Sequence, residues 1–344
     1  MALEIRMKSR VIKLIGTTAG ALIGGQVFAQ TCDPQLNQII QGSDGEALGS
    51  SISIMDNRAV IGAYAGVANG VDSGVAYTYA FDGEQWIQTG RLVPPDGASG
   101  DWFGLYTAMD HHRILIGSVR HDEGGTNVGA AYAYELIDNQ WVFEQKLSPM
   151  NAVEDGGFGS VEVQGSRAAI GASGSPNGAP VGSVTVFEHD GERWNTIEEI
   201  IPVDAEPHDQ FGRAIFLDGD QLIIGSPTHF DENQWSYAGA AYIFDFDGEH
   251  WVEQAKLVPS DLFGRVFFGR TVWVQGDRAV VGVHGAINQS GRIYCYGFEN
   301  GQWVEQQIIE PEIIKTKGYF GVSISIDDDL MLVGSGGLGE NQAH

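Results

Sequence analysis

The chain repeats itself, and that constrains its fold more than any other feature. A Phe-Gly pair stands at Phe103, Phe158, Phe211, Phe268 and Phe320, with Leu48-Gly49 as a variant, in steps of 55, 55, 53, 57 and 52 residues. Thirteen residues after the first residue of the pair comes an apolar-Gly pair (Ile61-Gly62, Ile116-Gly117, Ile224-Gly225, Val281-Gly282, Val333-Gly334), and the third unit reaches Ile170-Gly171 one residue sooner. A further Gly follows at 74, 129, 182, 239 and 291, each 12 residues before a Trp (Trp86, Trp141, Trp194, Trp251, Trp303). Self-similarity at a period near 50 marks a repeat architecture in which each unit is one supersecondary element.

Each unit holds four strand candidates. SISIM, VEVQG, AIFLD and VSISI alternate with period two, as half-buried strands do. A tight polar turn leads into runs such as RAVIGA or DQLIIGS, and the third strand reads AYTYAF, AAYAYEL, SVTVFEH, AAYIFDF or RIYCYGF. Asp-Gly or Asn-Gly then predicts a two-residue hairpin into a fourth strand headed by the Trp. No stretch has a persuasive helical period. Four antiparallel strands repeated in this way predict an all-β fold, a β-propeller of about six blades with units beginning near 43, 98, 153, 206, 263 and 315. The five Phe of the pairs and the five register Trp are expected to be scaffold. The sixth unit shows only its first two strands, YFGVSISI and LMLVGS. QLNQII at 35–40 resembles the fourth strand VEQQII at 304–309 and is expected to supply the outer strand of that last blade, whose third strand has no source. The alternative is a truncated seven-bladed ring.

The first 29 residues read as an export signal: Arg6, Lys8, Arg10 and Lys13, then an apolar run over 14–29 with Val27 and Ala29 at the cleavage positions. The propeller domain is then 30–344, and the expected location is secreted, periplasmic or at the cell surface. No later segment is long and apolar enough to span a bilayer. With those 29 residues removed, 15 Lys+Arg face 44 Asp+Glu, a formal charge of −29. Such a surface disfavours nucleic acid and anionic lipid as partners. Of the two cysteines, Cys295 sits in a strand and reads as a small buried thiol rather than as a bridge to Cys32.

These units resemble FG-GAP repeats, the units of integrin α-subunit propellers and of many exported bacterial proteins. The resemblance rests on Phe103-Gly104 through Ile116-Gly117 and its counterparts, on the Gly129-to-Trp141 strand pair, and on acidic lead-ins such as DGASGDWFG, and it covers 35–334. It implies a propeller, commonly seven-bladed, used for adhesion or ligand binding outside the cytoplasm. Integrin repeats hold Ca²⁺ in a long acidic loop between the first two strands. Here that connection is short in every unit (MDNR, MDHHR, QGSR, LDGD, QGDR, IDDD). Ca²⁺ takes six to eight oxygens, so no calcium site and no other cofactor is expected.

The connections from strand two to strand three vary in length, and those from strand four to the next strand one vary in content. Both emerge at one end of a propeller, opposite the tight turns, as a binding surface on a rigid frame would. Tyr64, Asp101, Trp102, His229, Asp231 and Trp235 lie in these connections and are the candidate ligand residues. Trp102 and Trp235 fall outside the scaffold register. Aromatic rings beside carboxylates suit a carbohydrate or protein ligand. No nucleophile elbow and no metal-ligand spacing is present, so a non-catalytic binding module is expected. The alternatives are a propeller fragment without independent function, or a propeller glycosidase or lyase using a carboxylate pair. An open edge on the last blade would offer a pairing surface for a second copy.

Overall fold

The computed structural model describes residues 10–13, 29–31, 38, 40–43, 45–174, 181–230, 237–261, 266–285, 290–311, 318–327 and 330–335. Every described element is a strand. Two short strands, β1 (Arg10–Lys13) and β2 (Ala29–Thr31), precede five contiguous antiparallel sheets. Blade 1 comprises β3 (Leu48–Met55), β4 (Arg58–Ala63), β5 (Val75–Phe81) and β6 (Trp86–Leu92). Blade 2 runs from β7 (Phe103–Met109) through β8 (Arg113–Ser118) and β9 (Ala130–Ile137) to β10 (Gln140–Leu147). Blade 3 holds β11 (Phe158–Gln164), β12 (Arg167–Ala172), β13 (Ser183–His189) and β14 (Trp194–Ile200). Blade 4 holds β15 (Ala214–Asp218), β16 (Gln221–Ser226), β17 (Ala240–Phe246) and β18 (Trp251–Leu257). Blade 5 holds β19 (Phe268–Gln275), β20 (Arg278–Val283), β21 (Arg292–Glu299) and β22 (Gln302–Ile309). A sixth sheet begins with β23 (Phe320–Asp327) and β24 (Leu330–Ser335). The array is a β-propeller of the predicted kind.

The repeated residues do the joining. Phe103, Phe158, Phe211 and Phe268 are wholly buried. At four of the five joints the next Phe N–H donates to the carbonyl before the preceding blade's Gly: Phe103 to Ser73 at 2.9 Å, Phe158 to Val128 at 2.9 Å, Phe268 to Ala238 at 2.8 Å and Phe320 to Ser290 at 2.8 Å. The apolar-Gly pair is explained by crowding. A Cβ at Gly117 would stand 1.8 Å from the carbonyl oxygen of Gly159 in the next blade, so only glycine lets the two inner strands approach. Trp194 and Trp251 are buried and Trp86, Trp141 and Trp303 half-buried. Trp273 joins the core between blades 5 and 6.

The phrase before each Trp folds in two ways. Blades 2 and 5 have the predicted two-residue turns, with Asp138 and Asn139 at φ 49° and 64° and Asn300 and Gly301 at φ 52° and 82°. Blades 1, 3 and 4 instead have four-residue loops. The Asp82, Asp190 and Asp247 carboxylates each accept two backbone N–H bonds across the loop. The extra Asp side-chain acceptor makes the longer loop self-sufficient.

The two ends of the chain meet blade 1 and β24 differently from expectation. The sixth sheet has the order β2-β1-β24-β23, so β1 takes the third-strand place that the sequence left without a source. β1 lies in the segment expected to be removed on export, and its removal would bare the outer edge of β24. Gln38 sits on blade 1. Its Nε2 donates to the Trp86 carbonyl at 2.8 Å and its Oε1 accepts from the Trp86 N–H at 2.7 Å. Gln145, in the fourth strand of blade 2, grips Trp194 of blade 3 the same way at 3.0 and 2.8 Å. Ile40 packs beside Ala59, Ile61 and Tyr79. Gln38 and Ile40 therefore relate to blade 1 as a fourth strand relates to the blade after it.

Two apolar faces remain uncovered beside that seam. In blade 3 Val161 and Val163 face the preceding blade at 5% and 6% exposure, whereas their blade 1 counterparts Ile52 and Ile54 are 42% and 59% exposed. Leu332 of β24 is 40% exposed, while its counterpart Leu115, which faces the following blade, is fully buried.

Candidate functional site

One end of the propeller carries only short turns. The other carries the connections from strand two to three and from four to one, and its chemistry is anchored on a repeated backbone feature. The residue before each Phe-Gly, or Leu-Gly in blade 1, has positive φ: Ala47 56°, Trp102 61°, Gly157 62°, Gln210 59°, Phe267 61° and Tyr319 47°. Bulky residues rarely adopt this conformation, and its recurrence in all six units, Ala47 and Gly157 included, makes it part of the frame. Three of the six are large aromatics.

Trp102 is half-buried. Tyr64 lies against it with ring centroids 5.3 Å apart, and the Arg120 guanidinium carbon sits 3.4 Å from the ring centroid. A cation over an indole face is a favourable contact. Trp102, Tyr64 and Arg120 thus form one stack at the rim.

Asp101 and His229 belong to a different arrangement, built twice. In blade 2 the His121 Nδ1 lies 2.9 Å from Asp101 Oδ2, and its Nε2 lies 2.8 Å from Lys146 Nζ. Lys146 also bonds Asp96 at 2.8 Å, and the Tyr132 hydroxyl donates to Asp96 at 2.7 Å. In blade 4 His229 lies 2.6 Å from Asp209 and 2.7 Å from Lys256, which bonds Asp204 at 2.6 Å, and Tyr242 donates to Asp204 at 3.0 Å. An Nε2 that faces an ammonium accepts its hydrogen bond, so Nδ1–H donates a hydrogen bond to the aspartate carboxylate. Burial alone would raise the Asp96 and Asp204 carboxyls. Bonding to Lys146 and Tyr132, and to Lys256 and Tyr242, outweighs it and leaves both below the usual range. Burial raises the Tyr132 and Tyr242 hydroxyls far above theirs, with the aspartates adding to it.

Asp101, His121, Asp209 and His229 are all at most 6% exposed. They tie a four-to-one connection to the two-to-three connection of the same blade and hold the loop bases rigid. Lys146 and Lys256 are absent from the candidates drawn from the sequence. The signal was there: Asp two before Phe, His eighteen after it and Lys five after Trp recur together in units 2 and 4 alone. The structure thus places Trp102 and Tyr64 in one stack, Asp101 in the blade 2 strut and His229 in the blade 4 strut. Asp231 and Trp235 lie outside the described residues. Just before them Phe230 packs on Tyr237 with centroids 4.8 Å apart.

Among the described residues no group of three or more His, Cys, Asp or Glu side chains is placed to hold a metal ion. The connections between strands one and two are two-residue turns in blades 1, 3, 4 and 5 and a three-residue turn, 110–112, in blade 2. Cys295 is a free thiol, pushed up to about 11 by burial, and Cys32 lies outside the described residues. No described helix is long and apolar enough to cross a membrane.

The antiparallel four-stranded blades, joined Phe to Gly, define a repeat propeller with one rigid end and one elaborated end. The family profile described as FG-GAP repeat matches residues 86–134, 194–244 and 251–296, so these segments are similar to FG-GAP repeats and sit in a β-propeller. Each match starts at a register Trp. Among solved structures, the chain is similar to a protein of unknown function from Desulfotomaculum acetoxidans. The TM-score is 0.53 at 11% identity, over 82% of this chain and 76% of that one. That likeness is one of fold. No curated protein matches the chain in sequence.

Proposed function

We propose that the chain is an exported, non-catalytic binding propeller that takes a carbohydrate or protein ligand on the end bearing the two-to-three and four-to-one connections. One observation carries this reading. The Trp102 stack with Tyr64 and Arg120 sits on that end, while the opposite end repeats simple turns. The Asp–His–Lys struts support it, because they fix the bases of the loops and consume buried charges in mutual pairing. The basic and apolar start of the sequence supports export.

A glycan array and a surface-protein pull-down on the full chain test the reading, with Trp102→Ala and Trp235→Ala as site variants. Binding lost in either variant is the expected result. A ligand held equally by both moves the site elsewhere. A second reading, an additional blade or a second copy seated against blade 1, is favoured by the exposed Ile52, Ile54 and Leu332. Light scattering across a concentration series separates a monomer from that assembly.

A further inference from the structure

The axis of the propeller holds two arginines that the rim site does not use. Arg213 is the second residue after Phe211 and Arg270 the second after Phe268. The same place in the other blades holds Ser50, Leu105, Ser160 and Val322. In blade 5 this place lies in a β-bulge, because pairing jumps from Phe268–Val283 to Thr271–Gly282 and leaves Arg270 outside the ladder. A bulge re-aims a side chain.

Contacts between non-neighbouring blades show where these side chains go. The Arg213 guanidinium of blade 4 donates to the Tyr106 hydroxyl of blade 2 and lies 5.5 Å from that ring's centroid. Blade 3 stands between them in the ring, so the contact crosses the axis. His284, just after β20, packs on Phe267 with centroids 5.5 Å apart and on Tyr319 of blade 6 at 5.9 Å. Groups from blades 2, 4, 5 and 6 therefore converge at the mouth of the channel, on the elaborated end.

The charge balance there is unusual for this molecule. The chain carries a formal charge of −26, and half-buried Arg113 and buried Arg292 have carboxylate partners, Glu144 at 3.5 Å and Asp261 at 2.7 Å. Among the described residues, neither Arg213 nor Arg270 has one. Burial and the neighbouring Arg213 together hold the Arg270 guanidinium below its usual range. Burial, Arg270 and Arg213 push His284 down to about 4, so it is neutral at pH 7, and its buried Nδ1 has no partner. Two like charges brought together out of water cost free energy unless something negative joins them.

We propose that the axial mouth is an oxyanion site, in which Arg213 and Arg270 together grip a carboxylate or phosphate group of the ligand while Phe267 and Tyr319 flank its body. Guanidinium forks suit both oxyanions, since each offers parallel N–H donors. Neutral His284, packed between Phe267 and Tyr319, has a buried Nδ1 without a partner. This deepens the binding reading above and rests on it.

The test is calorimetric melting of the full chain at fixed ionic strength in chloride, then with sodium D-glucuronate, with D-glucose, or with inorganic phosphate. The wild type should gain on the order of 5 °C at a hundredfold excess over the dissociation constant with an oxyanion, and nothing specific with glucose. The better of the two oxyanion arms identifies carboxylate or phosphate as the group. Arg270→Gln and Arg213→Gln should melt higher than wild type in chloride, because the repulsion is relieved, and should lose the oxyanion-specific gain. An equal gain in wild type and both variants overturns the proposal, as does a wild-type response no larger than chloride's. A gain kept by both but lost in Arg120→Gln moves the anion to the rim stack and leaves the binding end intact. A gain lost only in Arg278→Gln, at the opposite end, overturns both readings.

Discussion

Glu162 offers a direct measure of how dry the interface between blades is. It lies on β11 opposite Ala169, on the side facing blade 4, between Val161 and Val163 that face blade 2. Its counterparts in blades 2, 4 and 5 are Ala108, Phe216 and Trp273. Its carboxyl makes no hydrogen bond or ion pair among the described residues, and burial pushes it up to about 8. The sign follows from linkage. A carboxyl whose folded pKa is raised favours folding below its unfolded value near 4.3, and that contribution is lost as pH rises toward 8. At about 1.4 kcal/mol per unit, the shift has a ceiling of about 5 kcal/mol. Because the side chain keeps some exposure, about 2–3 kcal/mol is the better figure. Glu162→Gln removes the ionisation but leaves an amide without partners, at about 1 kcal/mol. Urea unfolding at pH 4, 5.5, 7 and 8.5 should show the variant more stable by about 1–2 kcal/mol at pH 7, with no advantage at pH 4. A difference that does not change with pH, or a variant weaker at pH 7, would refute the argument.

Two further substitutions probe the joints. Gln38→Ala and Gln145→Ala each remove a pair of bonds to a Trp backbone, so each should cost about 1–2 kcal/mol in chemical denaturation; a silent Gln38→Ala beside a costly Gln145→Ala would mean that the amino-terminal segment does not hold blade 1. Gly117→Ala forces a methyl against the Gly159 carbonyl and should lower stability by roughly 3 kcal/mol or more; a Tm within a degree of wild type would show that the blades separate freely.

The scaffold was legible because it is written several times. Phe-Gly, apolar-Gly and Gly-to-Trp each reflect one steric requirement of blade-on-blade packing, so repetition exposes them without any relative to compare. The hairpin phrase was half legible. Asp-Gly announced a turn, but only the carboxylate bridges at Asp82, Asp190 and Asp247 decide that three of the five loops hold four residues. At the N-terminal seam QLNQII copies VEQQII, but the outer place in the last blade expected for it is taken by β2, while Gln38 bonds blade 1; β1, in the third-strand place, carries no trace of the repeat. At the rim, the oddity of Trp102 was visible from its register. Its partners Tyr64 and Arg120 needed the fold to bring three connections together.

Asp101 and His229 show why chemistry-bearing residues in a variable loop are ambiguous from sequence. Each is one half of a buried pair whose other half, His121 or Asp209, stands about twenty residues away in the same unit. A residue whose partner recurs with it in another unit serves the frame, since the frame is what units share. The arginines at 213 and 270 follow the opposite logic. They break the repeat at a place where four other units have uncharged side chains, and they have no partner that recurs with them. Among the described residues neither arginine has a carboxylate partner, and the proposed oxyanion would supply one. In a ring, the axis is the one place where such departures from different units meet. Arg213 and Tyr106, 107 residues apart, touch there.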